Sequence, residues 1–296
     1  MSATPRWEFV ARISAFLGLL GLFAWAYWPT FLDLVHTWET EEDYAHGYLV
    51  APLTCLFLWM RRDRFPGWGN PQILAAVSLV TVALILRLGG SLFYMESLEG
   101  WSIPIWIAGA VLLLGGGSFW SWCLPAIGFL FFMVPLPFRA EQMLSFPLQR
   151  FAARLSAWAL QCMGQPALAE GNTLWLGDQQ LEVEQACSGL RILMGIFAIA
   201  YAYLILTRRN WWERGLLILT ILPITLIANS TRIVVTGLLF QSITDEATKD
   251  WAHDMVGWAV LPLAAAMFAL VLSYLSMLMR EEEVVSVGEL VRSRSA

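Results

Sequence analysis

A chain of 296 residues, 58% hydrophobic and only 14% charged, with mean hydropathy +0.62, is too apolar for an ordinary soluble domain, in which about a quarter of residues are charged. A net charge of −5 with one lysine, Lys249, excludes a nucleic-acid partner, which needs a basic face. The four cysteines, Cys55, Cys123, Cys162 and Cys187, stand singly with no C-x-x-C pair, which suits neither a zinc site nor a disulfide scaffold.

Arg6 and Arg12 precede the first apolar run, and Ala24-Trp25-Ala26 has the small-x-small form of a signal-peptidase site. Bulky Trp25, Tyr27 and Trp28 followed by Pro29 argue against cleavage, so this run is expected to remain as a first span. Further apolar runs fall at 47–60, 72–90, 101–119, 120–138, 187–206, 215–240 and 254–279, after the first at 13–32. Most approach the ~20 residues that cross the hydrocarbon core. Eight spans are expected, with seven or nine as alternatives; Gly115-Gly116-Gly117-Ser118 separates the fourth from the fifth.

Orientation follows from the bias of arginine. With the N-terminus inside, the cytoplasmic loops carry Arg61, Arg62 and Arg64, then Arg208, Arg209 and Arg214, and Arg280 follows the last span. The outer loops then carry Glu39, Glu41, Glu42, Asp43, Glu96, Glu99, Asp245, Glu246 and Asp250. This predicts a multi-pass protein of the cytoplasmic (inner) membrane with both termini cytoplasmic.

Residues 139–165 alternate Arg139, Glu141, Gln142, Gln149, Arg150 and Arg154 with Met143, Leu144, Phe146, Phe151, Leu155 and Trp158 at helical spacing. They predict an amphipathic helix in the outer interface, interrupted near Pro147; the alternative is a ninth, partly buried span. Residues 172–184 alternate around Gly177-Asp178 as a short β-hairpin does, and lead directly into Cys187. The fold class is therefore all-α polytopic membrane protein, with about eight transmembrane helices, an interfacial helix and a small extracytoplasmic hairpin. Residues 1–280 form one membrane domain, and 281–296 a short polar cytoplasmic tail.

Three reactive groups sit at the outer ends of consecutive spans. Cys187 opens the sixth, followed by Ser188 and Gly189, where unpaired N–H groups and the helix dipole favour a thiolate; the alternative is a packed cysteine at the interface. Arg232 lies about 12 Å of helix inward from Phe240, a costly depth for a charge. Asn229, three residues earlier, shares its face. The alternative for Arg232 is snorkelling past Thr236 to the headgroups. His253 follows the acidic loop Asp245–Asp250 and is either a proton shuttle or an interfacial histidine capped by Asp250 or Asp254. His46 competes for the shuttle role. Arg191, one turn below Cys187, either supports the thiolate or binds a substrate carboxylate, or else snorkels. Thiol, guanidinium and imidazole at one depth suit acyl transfer through cysteine.

At these positions the chain resembles the exosortase/archaeosortase family of membrane transpeptidases. Ala186-Cys187-Ser188-Gly189-Leu190-Arg191 looks like its cysteine motif, Asn229-Ser230-Thr231-Arg232 like its arginine motif, and His253 like its histidine. Ala45-His46-Gly47-Tyr48-Leu49-Val50-Ala51-Pro52, with Trp59 and Arg61-Arg62, is similar to its N-terminal signature. The resemblance implies catalysis by Cys187, Arg232 and His253, without metal or cofactor. Its partners would be C-terminal sorting signals of exported membrane-anchored proteins, each a short motif (Pro-Glu-Pro in the bacterial case), one transmembrane helix and a basic tail. The competing classes are a transporter or flippase, which places its groups near the midplane of repeated halves, and a non-catalytic scaffold for exopolysaccharide assembly. A metal-dependent protease is disfavoured because no H-E-x-x-H run occurs.

Overall fold

A computed structural model describes residues 6–177, 179–182, 189–207, 209–243 and 245–278. Eight α-helices run through them: α1 Arg6–Thr40, α2 Gly47–Met60, α3 Ile73–Phe93, α4 Glu96–Phe129, α5 Phe138–Cys162, α6 Leu190–Leu206, α7 Trp211–Ser242 and α8 Glu246–Leu278. Short 3-10 turns over Glu42–Tyr44, Arg62–Arg64 and Leu130–Met133 join some of them. Three strands, β1 Ala167–Glu170, β2 Thr173–Leu176 and β3 Gln179–Glu182, form one antiparallel sheet between α5 and α6.

By length and apolar composition five stretches are able to cross a bilayer: Phe16–Thr40, Ile73–Phe93, Glu96–Met133, Trp211–Ser242 and Ala247–Leu278. The chain is a multi-pass membrane protein. Two further apolar helices, α2 and α6, are shorter, at 14 and 17 residues. The sequence separates 101–119 from 120–138 at Gly115-Gly116-Gly117-Ser118, and the structure divides α4 into two helical halves there, at Gly116, the second half ending at Phe129. That break reverses the chain. The first half lies antiparallel to α3, with Glu99 against Gly90 and Gly109 against Ala76. The second half follows α2, where Arg61 and Trp122 exchange hydrogen bonds and the Phe57 and Phe129 rings meet. Beyond it, the Val134 side chain rests on Gly100. An unbroken helix would hold those two about 50 Å apart.

Only glycine fits the reversal. Gly116 has φ 71 and ψ −177, and a Cβ there would fall onto the backbone of Asn70. Gly116→Ala should therefore destabilise the protein by more than the ~1–3 kcal/mol of backbone strain alone. Gly89 in α3 has open space around it, so Gly89→Ala should be neutral or stabilising. Thermal unfolding of both variants in one detergent checks the contrast; equal midpoints would refute the reversal.

The helix α5 continues unbroken through Pro147, contrary to the expected interruption. Proline forfeits the bond to the carbonyl of Met143, but Met143 and Pro147 are both exposed, where that carbonyl is free to find water. The opposite face, Ala152, Ala153, Ser156, Ala157 and Leu160, is buried and packs towards α7, where Ser156 donates to the Ser230 carbonyl at 3.2 Å. Packing of small residues thus outweighs one lost backbone bond. The hairpin expected over 172–184 is present as β2 and β3, with Leu176 paired to Gln179. Strand β1 was not anticipated; it joins β2 through Gly171-Asn172, with Gly171 at φ 63, a two-residue turn signal of the Gly-Asn type. Leu174 and Leu176 of the sheet bury against α5 and α7.

The helix pairings sort the charges by end. Arg61, Arg62 and Arg64 lie with Gly115–Trp122 at one end, and α6 descends to that end, with Tyr201 donating to the Pro125 carbonyl. Asp43, Glu99, Glu141 and the starts of α6 and α8 lie at the other.

Candidate functional site

The site is built on the first turn of α6. Gly189 caps that helix in the left-handed region, with φ 77, and its carbonyl accepts the first helical bond, from Leu193 N–H at 2.9 Å. Leu190 and Ile192 are fully buried, which anchors the turn in the bundle. Cys187 and Ser188 fall outside the described residues.

Asn229 of α7 fills the space beside Gly189. Its side chain is buried, and a Cβ on Gly189 would come within 3.1 Å of Asn229 Nδ2. The contact needs a residue without a side chain at 189. One turn along α7 lies Arg232, only 5% exposed, on a buried polar stripe with Thr225, Asn229, Ser230 and Thr236. A stripe of this kind inside an apolar helix is costly unless it is turned towards protein partners or a polar cavity.

The Arg232 guanidinium reaches α8. Its Nη2 stands 3.3 Å from His253 Nε2. Arginine only donates, so a hydrogen bond between them has Nε2 as acceptor. Nδ1 lies 3.7 Å from Asp254 Oδ1. One turn past His253, Gly257 leaves a notch in α8: a Cβ there would sit 3.0 Å from Arg232 Nη2. The planar guanidinium is thus clamped between a glycine and a histidine. Sequence reading passed over Gly257; its i+4 spacing from His253, on the face opposite Arg232, was the available signal.

Thr236 was named only as a snorkelling landmark. It is buried one turn beyond Arg232, and its hydroxyl finds no hydrogen-bond partner among the described residues. Gly237 lets the sheet close on this end of α7, with Leu181 and Leu176 within 3.4 Å of the position a Cβ would take.

The other named residues form a second corner on the far side of the α6 start. Arg191 Nε pairs with Asp43 Oδ1 at 3.3 Å, both side chains mostly buried, so this arginine ties α6 to the turn before α2 instead of snorkelling. His46 Nε2 lies 3.0 Å from the Phe132 carbonyl and donates to it. Burial lowers the His46 pKa below the usual imidazole range, partly offset by hydrogen bonds to the main chain of Phe132 and Asp43. With Nε2 given to a carbonyl, His46 fits a structural tie better than a shuttle. Beside it, Tyr44 accepts from Leu136 N–H and donates to Glu141 Oε2 at 3.4 Å, joining the same turn to α5. Burial raises the Glu141 pKa.

The structure therefore sets Asn229 against Gly189 and, one turn along α7, Arg232 against His253, while Arg191 and His46 both contact Asp43. A buried guanidinium beside an imidazole suits stabilisation of developing negative charge next to a proton-transfer group.

Comparison with known proteins gives a family. The family described as transmembrane exosortase (Exosortase_EpsH) matches residues 38–270, which run from the end of α1 through most of α8. No curated protein and no solved structure matches the chain.

Proposed function

We propose, from the premise that the chain belongs to the transmembrane exosortase family, that it is a membrane-embedded cysteine protease or transpeptidase acting on C-terminal sorting signals of exported proteins. The observation that carries the reading is Arg232, buried, bonded to His253 and one turn from the Asn229 that abuts Gly189. Cys187 precedes Gly189 by two residues, and two residues of chain span at most about 7 Å. We assign the nucleophile to that cysteine.

In this reading the substrate helix docks laterally against the bundle with its motif at the site end. The basic residues at the opposite end favour that end as the cytoplasmic one, with the site outside. His253 releases Arg232 and takes the Cys187 thiol proton on Nε2. The thiolate sulfur then bonds to the scissile carbonyl carbon, and the π-electron pair moves onto oxygen beside the Arg232 guanidinium. Collapse breaks the C–N bond, and His253 returns the proton to the leaving amine. A thioester on Cys187 remains. Water or an acceptor amine attacks it, losing its own proton to His253, and the sulfur departs to regain that proton.

The test is capture of that thioester. A tagged substrate carrying motif, helix and basic tail should leave a covalent adduct on the Cys187 peptide, released by hydroxylamine and absent in Cys187→Ala. Undiminished processing by Cys187→Ala would sink the catalytic reading and bring forward a transporter or scaffold.

A further inference from the structure

The outward face of α5 carries a feature that the chemistry above does not use. Arg150 and Arg154, on consecutive turns, line an open groove of about 610 Å³ with Phe146, Phe151 and the Gly171-Asn172 turn. That volume lies within the ~300–1,000 Å³ typical of small-molecule sites. The groove is a built one: Gln149 is 3% exposed, and its Oε1 accepts from Asn172 Nδ2, which fixes the β1–β2 turn against the helix.

The two guanidiniums need a partner. Like charges at i and i+4 repel, and neither makes an ion pair or hydrogen bond with any described residue. Around them the surface is apolar: Phe151 is 58% exposed and Trp158 62%. This face is turned away from the catalytic group, because the opposite face of α5 packs on Ser230 of α7. A ligand here must be anionic at the head and apolar beside it.

We propose that Arg150 and Arg154 bind the phosphate of an anionic phospholipid, with Phe146 and Phe151 against its glycerol backbone and upper acyl carbons. Arginine forks match phosphate oxygens bidentately. An amphipathic helix with aromatic and basic residues is suited to the depth where that phosphate sits. The lipid would hold α5, and through Ser156 and Ala152 the middle of α7, at a fixed depth. The inference rests on this face alone and stands whether or not Cys187 is a nucleophile.

The protein in detergent is loaded with dioleoyl-phosphatidylglycerol or dioleoyl-phosphatidylcholine, and retained lipid is read by native mass spectrometry. Retention of phosphatidylglycerol should exceed that of phosphatidylcholine by about 10- to 30-fold, from two basic contacts. The ratio should fall to near one in Arg150→Gln/Arg154→Gln and be kept in Arg64→Gln at the opposite end. The thermal midpoint should rise with phosphatidylglycerol in wild type and not in the double variant. An unchanged ratio in the double variant overturns the proposal. So does displacement by millimolar inorganic phosphate, which would mark a free-phosphate site. Loss of an acidic substrate peptide with lipid retention intact would assign the groove to polypeptide and also overturn it.

Discussion

An Arg232→Ala enzyme should reach the membrane in normal amount yet process substrate about 10²–10³-fold more slowly, the usual cost of losing one oxyanion donor. The fall should lie in kcat, because in the proposed mechanism the guanidinium meets charge that exists only after thiolate attack. Two effects compete for stability. Truncating a side chain only 5% exposed opens a void and removes the contact with His253. Yet it also relieves the desolvation of a buried cation, so the net change is expected to be modest. Arg232→Lys separates the roles further. It keeps the charge but not the planar fork lying between His253 and the Gly257 notch, where the Nη2 group stands 3.0 Å from where a Cβ would be. Lysine should therefore also lose most activity while folding as wild type does. Rates are measured at saturating substrate and normalised to enzyme in the membrane fraction. An Arg232→Ala rate within about two-fold of wild type would remove Arg232 from the oxyanion role.

Much of this fold could be read from the chain because membrane segments are long, apolar and punctuated by charge. The apolar runs at 47–60, 72–90, 215–240 and 254–279 coincide closely with α2, α3, α7 and α8. What the sequence showed less clearly has local causes. Gly115-Gly116-Gly117 marked a boundary but not its nature. Gly116 divides α4 into two helical halves where the glycines stand, and what they do not announce is that the chain reverses there. Pro147 is a strong helix breaker in isolation, and it is overridden because its lost bond faces outward while Ala152, Ala153 and Ala157 pack inward. Strand β1 has only four residues, Ala-Leu-Ala-Glu, too short for an alternation signal, and is held by its register with β2.

The candidate site was legible at the residues that carry charge or reactivity and silent at those that make room. Arg232, Asn229 and His253 stand out as polar groups at the ends of apolar helices, and the structure joins them. Gly189 and Gly257 have no side chain to announce a role, yet each admits a neighbouring polar group through a gap one methyl would fill. Asp43 appeared only as one of several acidic loop residues. Its pairing with Arg191 connects positions 148 apart in the chain, a link that no local pattern encodes. Arg191 was read as a support for the thiolate or a carboxylate binder and His46 as a competing shuttle; Arg191 pairs with Asp43, and His46 bonds to the Phe132 carbonyl.

Gly189→Ala should be the most damaging single-methyl change in the protein for activity. Two costs fall together. An alanine at φ 77 occupies a left-handed conformation at about 1–2 kcal/mol. Its Cβ would also press to 3.1 Å from Asn229 Nδ2, and Asn229, 1% exposed, has little room to retreat. Because Asn229 and Arg232 share one face of α7, a shift of the asparagine is passed one turn on to the guanidinium. A displacement of this size costs on the order of 10- to 100-fold when it misaligns reacting groups, and the loss should fall on kcat with KM little changed. The link through Asn229 has its own check, a double-mutant cycle. In an Asn229→Ala background the collision is gone and only the backbone strain remains, so Gly189→Ala should cost clearly less there than in wild type. Strictly additive losses would mean that the methyl acts through the α6 backbone alone, and that the contact between Gly189 and Asn229 does not align the site.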